Sequence, residues 1–315
     1  MSGRWMKHAL LRAALLALGI AAAAAPAAAA DLLRKIEVGG LERTYRIHLP
    51  GDIKPGAPAA LVIALHGGGG NGRSTDRQTR FSAEADRQGF VVVYTDGTGR
   101  ARPFLGAMGR GGFLTWNAGG CCAYAMEHRI DDVGFIRAMV AAIERELPID
   151  PHRVYATGIS NGGMMAYRLA CEASDLVAAV GVVSGVVVAE PCQPGSPVAV
   201  IHIHGAADQN VPLAGGVGAK AVTRTNYPPV ERSIAFWAGA DGCAARPRVS
   251  QPTAGVTLRD YAGCRAGTEV AFYVIAGGGH AWPGGAQMAS FLDKPSTAMS
   301  ATPAIWAFFA AHPKP

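Results

Sequence analysis

Residues 33 to 38 and 42 to 49 alternate apolar and polar positions around Gly39-Gly40, a pattern that predicts an opening antiparallel hairpin. The pattern then changes to short continuous apolar runs: Ala60 to Leu65, Phe90 to Tyr94, Val154 to Ala156, Ala178 to Val183, Val198 to Ile201 and Val270 to Ile275. Runs of that length with no polar face belong to strands covered on both sides, as in a parallel sheet. Helical stretches fall between them, near residues 75 to 88, 131 to 147, 161 to 172, 228 to 240 and 299 to 311. Strand and helix therefore alternate, which predicts a three-layer α/β sandwich around a mostly parallel central sheet. Asp131-Asp132 ahead of an apolar-periodic segment reads as an N-cap, and Gly89 as a helix stop. The stretch from Gly97 to Arg129 shows neither period, is rich in glycine and holds Trp116-Asn117. A connection of that length in a compact domain is usually functional.

One buried strand runs straight into a tight turn. Arg153-Val-Tyr-Ala-Thr-Gly-Ile-Ser-Asn-Gly-Gly163 reads as strand, then Gly158-Ile159-Ser160-Asn161-Gly162, then helix. In that context G-x-S-x-G is a nucleophile elbow of the α/β-hydrolase fold, where glycines two residues either side let strand and helix approach and the serine hydroxyl stands clear of the sheet. Ser160 is the candidate nucleophile. His66-Gly67-Gly68-Gly69-Gly70 follows the first buried strand and suggests an oxyanion hole built from the amides of Gly68 and Asn161. A phosphate-cradling loop would need a Gly-Lys-Ser/Thr, and none follows.

A serine hydroxyl near its ordinary pKa is a poor nucleophile; it needs a histidine base, itself oriented by a carboxylate. In this fold the chain order is serine, acid, histidine. The run from Val198 ends in His204-Gly205-Ala206-Ala207-Asp208, and the run 268 to 276 ends in Gly277-Gly-Gly-His280-Ala-Trp282, so Asp208 and His280 fall on loops at one sheet edge. Asp241 and Asp260 are rival acids, but one closes a helix and the other lies within a strand. His202-x-His204 invites a metal, since alternate strand residues share a face, yet no third ligand stands at a telling spacing. No metal or other cofactor is expected. Trp116 and Trp282 are candidate substrate contacts that either stack on a substrate ring or pack beneath the loops.

Composition adds a destination. Arg4, Lys7 and Arg12 precede an uncharged run from Ala13 to Ala25 and a small-residue stretch ending Ala28-Ala29-Ala30, the pattern of a secretory signal peptide over residues 1 to 30. The apolar run is too short for a spanning helix, which needs roughly 20 residues, so no stable membrane insertion is expected after cleavage. Removing three basic residues and no acidic one lowers the net charge from +6 to +3, and no Lys/Arg run remains to suggest nucleic acid. Residues 31 to 315 then read as one catalytic domain, with its six cysteines addressed to an oxidising compartment. Cys171 with Cys192 and Cys243 with Cys264 are the expected disulfides; adjacent Cys121 and Cys122 bond either to each other or to separate partners.

With these residues assembled, the chain resembles the secreted polyhydroxybutyrate depolymerase and feruloyl esterase family of α/β-hydrolases, the LpqC-like esterases. The carriers are Leu65-His-Gly-Gly68, Thr115-Trp-Asn-Ala-Gly-Gly-Cys-Cys122 with Asp131-Asp-Val-Gly-Phe135, Gly158-Ile-Ser-Asn-Gly-Gly-Met-Met165, His204-Gly-Ala-Ala-Asp208, and His280-Ala-Trp-Pro-Gly-Gly285 with Phe308-Phe-Ala-Ala-His312. The resemblance spans most of residues 35 to 312 and implies a Ser160, Asp208, His280 triad acting on an ester, either a feruloylated polysaccharide or a hydroxyalkanoate polyester. Depolymerases of solid polymer resemble two-module enzymes with a linker and a binding domain, so soluble esters or oligomers are the expected substrates. The competing readings are a peptidase of the same fold and a noncatalytic wall-binding hydrolase homologue.

Overall fold

The computed structural model describes residues 29–51, 53, 57–100, 113–290 and 292–315. The signal-peptide expectation falls almost wholly on residues 1–28, outside the described residues. In chain order the strands are β1 (Ala30–Val38), β2 (Leu41–Leu49), β3 (Ala59–Leu65), β4 (Val91–Thr95), β5 (Ile149–Ile159), β6 (Ala179–Val183), β7 (Ala199–Gly205), β8 (Arg248–Thr253), β9 (Val256–Tyr261) and β10 (Val270–Ile275). They form one sheet in the order β1-β2-β4-β3-β5-β6-β7-β10-β9-β8. The six strands from β4 through β10 run parallel, and an antiparallel pair closes each side.

The apolar runs are continuous because successive side chains enter different cores. Leu61, Ile63 and Leu65 pack in one cluster with Phe135, Met139, Met165 and Trp237. Ala60, Val62 and Ala64 face the other, with Phe81, Phe90, Ile305 and Phe309. Helices supply most of those partners, α2 (Phe81–Gln88) and α7 (Ala301–Ala311) to one cluster and α4 (Asp132–Glu146), α5 (Asn161–Glu172) and α6 (Val230–Ala240) to the other; α1 (Gly72–Thr79) precedes α2, and a one-turn α3 (Ala123–Glu127) lies inside the long connection.

Two boundaries follow their caps. The Asp131 side chain accepts the Gly134 N–H, and Gly89 closes α2 at φ 75°. The helix expected over 75 to 88 is instead two, because Arg80 adopts φ 58° and gives its N–H to Asp76 O at 2.7 Å, ending α1 with a left-handed cap. The sulfur pairs are Cys171 with Cys192, Cys243 with Cys264, and Cys121 with Cys122. The first ties the end of α5 to the segment leading into β7.

Candidate active site

β5 ends at Ile159 and α5 begins at Asn161, so Ser160 alone makes the turn, at φ 56° and ψ −125°. A Cβ on Gly158 would lie 2.5 Å from the Gly162 carbonyl carbon, and one on Gly162 would lie 2.4 Å from Leu65 O. Helix, strand and neighbouring strand meet backbone to backbone, a closeness only glycine allows. The Ser160 N–H is held by Val183 O at 2.9 Å, which fixes the turn to β6 and leaves its side chain half-buried at the carboxyl end of the sheet.

The expected acid and base meet. His280 Nδ1 lies 2.8 Å from Asp208 Oδ2, with the carboxyl fully buried and the imidazole 16% exposed. Asp208 Oδ1 accepts the N–H groups of Asn210 at 2.8 Å and Val211 at 2.9 Å. Burial alone would raise the Asp208 pKa, but the hydrogen bond with His280, the neighbouring imidazoles and the Val211 amide together hold it below the ordinary carboxylate value. With Nδ1 facing a carboxylate, Nε2 is the ring nitrogen on the opposite side from Asp208. Of the rival acids, Asp241 caps α6 beside the Val198 N–H and Asp260 pairs with Arg248 at 2.7 Å.

Two residues without a sequence signal brace His280. Its N–H donates to Asp293 Oδ2 at 2.8 Å, and Asp293 Oδ1 takes a hydrogen bond from Lys220 Nζ at 3.0 Å. Both sit in loops with no period or motif, 73 residues apart.

The Gly-rich loop lies against the elbow: a Cβ on Gly67 would stand 3.6 Å from Ser160 Cβ. The Gly69 N–H goes to Leu114 O and the Gly70 N–H to Gly67 O, whereas among the described residues no acceptor takes the amides of Gly68 or Asn161. Asn161 is the first residue of α5, where an N–H has no partner within the helix. His66 anchors this loop, with Nδ1 2.8 Å from Gly67 O and Nε2 accepting the Gly97 N–H at 2.9 Å. Its complete burial lowers its pKa to about 4, so the ring is neutral.

The tryptophans correct the sequence reading. Trp116 and Trp282 are both fully buried. Trp116 Nε1 donates to His66 O at 3.0 Å, and Trp282 Nε1 to Thr302 Oγ1 at 2.9 Å with its ring edge-on to Phe81. A ring enclosed on every side has no face to offer a substrate; of the two alternatives, packing beneath the loops is the one realised. Among the described residues the large exposed aromatic is Phe113, 41% accessible. Its ring lies along the Gly-rich loop, 3.6 Å from where a Gly68 Cβ would be and 2.7 Å from a Gly69 Cβ. The signal available in the sequence was an aromatic two residues before Thr115 in the long glycine-rich connection.

His202 and His204 do not open a metal site. They stack at 5.3 Å, and His202 Nε2 lies 3.0 Å from His204 Nδ1.

A serine on the strand-to-helix elbow after β5, with an aspartate after β7 and a histidine after β10 at the same edge of a parallel sheet, defines an α/β-hydrolase. Comparison with known proteins narrows the class. The sequence profile of the esterase PHB depolymerase family matches residues 44–255, and the chain belongs to that family and is a carboxylic ester hydrolase. It is 31% identical over 272 residues to "Putative esterase NocK" of Nocardia uniformis subsp. tsuyamanensis, covering 80% of this chain and 74% of that one. It is 29% identical over 248 residues to feruloyl esterase B of Piromyces equi, across 76% of this chain but only 42% of that longer protein. In structure, the acetyl xylan esterase from Aspergillus awamori superposes with a TM-score of 0.60 at 16% identity, covering 89% of this chain and 99% of that one, which shows a shared fold.

Proposed function

We propose that the chain is a secreted serine esterase that works through an acyl-enzyme on Ser160. The observation that carries this reading is that the Ser160 elbow and the loops holding Asp208 and His280 follow parallel strands out of one sheet edge, with His280 Nδ1 2.8 Å from Asp208 Oδ2. His280 Nε2 takes the hydroxyl proton as Ser160 Oγ attacks the ester carbonyl. The amides of Gly68 and Asn161 stabilise the oxyanion, and collapse expels the alcohol, protonated by His280. A water molecule deprotonated by the same nitrogen then hydrolyses the acyl-serine and releases the acid. Three disulfides support an oxidising destination.

Among the esters that relatives' names point to, Phe113 favours a planar, aromatic acyl group over a short hydroxyalkanoate, because an exposed ring beside the oxyanion amides offers a face for stacking. The test is hydrolysis of methyl ferulate beside 3-hydroxybutyrate oligomers by residues 31 to 315, with Ser160→Ala as control and a fluorophosphonate label on the wild type. Loss of a nucleophile costs on the order of 10⁶ in turnover in a comparable hydrolase, so residual activity above about a hundredth would remove Ser160 from the role.

A further inference from the structure

Three buried side chains behind Asp208 take no part in this chemistry, and they are hydrogen-bonded in a line. The Tyr167 hydroxyl lies 2.7 Å from His202 Nδ1, His202 Nε2 lies 3.0 Å from His204 Nδ1, and His204 Nε2 lies 2.8 Å from the Val211 carbonyl oxygen. A carbonyl only accepts, so His204 Nε2 carries a hydrogen. Burial keeps both imidazoles neutral, with one N–H each. His204 Nδ1 is therefore a bare acceptor and His202 Nε2 its donor. His202 Nδ1 is bare in turn, and the tyrosine hydroxyl donates to it. One carbonyl sets every hydrogen in the line.

The line ends at the acid. Val211, whose carbonyl takes the His204 N–H, gives its own N–H to Asp208 Oδ1 at 2.9 Å, and His204 Nε2 stands 3.6 Å from Asp208 Oδ2. Packing leaves these rings little freedom: Tyr167 lies flat against Trp237 at 6.2 Å, and His202 meets Phe272 edge-on at 5.3 Å.

We propose that Tyr167, His202 and His204 are positioning residues for the acid, a one-way hydrogen-bond line that holds the Val211 turn and so keeps Asp208 Oδ2 aimed at His280. The proposal rests on Ser160, Asp208 and His280 being the reacting set. It explains why a strand end should carry two histidines on one face without a metal: only rings that donate at one end and accept at the other transmit a fixed direction through the core. The charged or titratable groups around His280 are Asp208, His204, Asp293 and, through Asp293, Lys220, so the first two are the ones the line adjusts.

Tyr167→Phe keeps the ring and removes the terminal donor. His204→Phe removes the link to Val211, while His204→Gln keeps an N–H at the far end. Fluorophosphonate titration counts active sites, separating misfolded protein from slow enzyme. In Tyr167→Phe and His204→Phe, kcat per labelled site should fall on the order of tenfold to a hundredfold, the cost of a small misplacement. The acid limb of the pH profile should move down by about half a unit, because a badly aimed carboxylate stabilises the His280 imidazolium less. His204→Gln should recover most of both. An unmoved limb with unchanged kcat per site in Tyr167→Phe would overturn the proposal and leave a packing role. Wild-type enzyme that takes no label at Ser160 would overturn the reading beneath it.

Discussion

Asn161 gives both ends of its side-chain amide to a single residue: Oδ1 accepts the Trp116 N–H at 2.7 Å, and Nδ2 donates to the Trp116 carbonyl at 3.0 Å. The residue whose backbone is a candidate oxyanion donor thus docks the long connection onto the elbow. Asn161→Ala should leave the buried Trp116 N–H unpaired and take one of two donors from its carbonyl, which keeps the Cys122 N–H at 3.1 Å, at about 1–3 kcal/mol of stability. It should also lower kcat while Ser160 still labels. Denaturant unfolding beside a steady-state assay checks both; a variant as stable as wild type would remove the docking role.

The next layer of that connection is ionic. Arg43 and Asp132 pair at 2.7 Å with side chains 3% and 0% exposed, Arg43 lies over the Phe135 ring, and Asp132 also accepts the Asn117 N–H. Removing one partner strands the other charge in the core. Asp132→Leu should cost about 3–5 kcal/mol, and the double change with Arg43→Met far less. A double-mutant cycle in urea measures this, and additive losses would contradict it.

The neutral histidines predict an acid-sensitive fold. Burial lowers the folded pKa of His66 to about 4, against 6.5 when exposed, so the unfolded chain binds more protons between those values and stability rises with pH across them. His202 and His204 shift in the same direction. His48, whose contacts with Asp31 and Asp86 outweigh the lowering effect of burial, is raised and acts oppositely, its contribution fading as pH climbs above that range. The expected result is stability that falls between about pH 6.5 and pH 4, on the order of 3 kcal/mol from His66 alone. Urea midpoints taken through this range should show a shallower slope for His66→Asn; an identical slope would exclude His66 as a source.

Phe113 carries the substrate prediction. An aromatic contact adds about 0.5–1.5 kcal/mol, so Phe113→Ala should lower kcat/KM for methyl ferulate roughly twofold to tenfold, while a short aliphatic ester changes little. Equal losses on both would make Phe113 a support for the Gly-rich loop instead of a contact for the acyl group.

The central strands and the elbow were legible because their cause is local. Val62 and Ile63 are apolar since each faces a core, and Gly158 and Gly162 recur around Ser160 because no other residue lets β5 and α5 approach. The break at Arg80 was not legible, since a left-handed arginine carries no mark in the sequence. The edge strand β8 was equally obscure: every residue of it is exposed, leaving no apolar face to read.

By itself the sequence determined the alternating layers and the order of serine, aspartate and histidine, because buried strands, tight turns and strand-end loops each impose their own residue types over a few positions. Only the tertiary structure decided what those residues touch. It enclosed Trp116 and Trp282, exposed Phe113, brought Lys220 to Asp293 behind His280, and set His202 and His204 in line behind Asp208. These are contacts between segments far apart in the chain, fixed by how sheet and loops pack, and no local pattern records them.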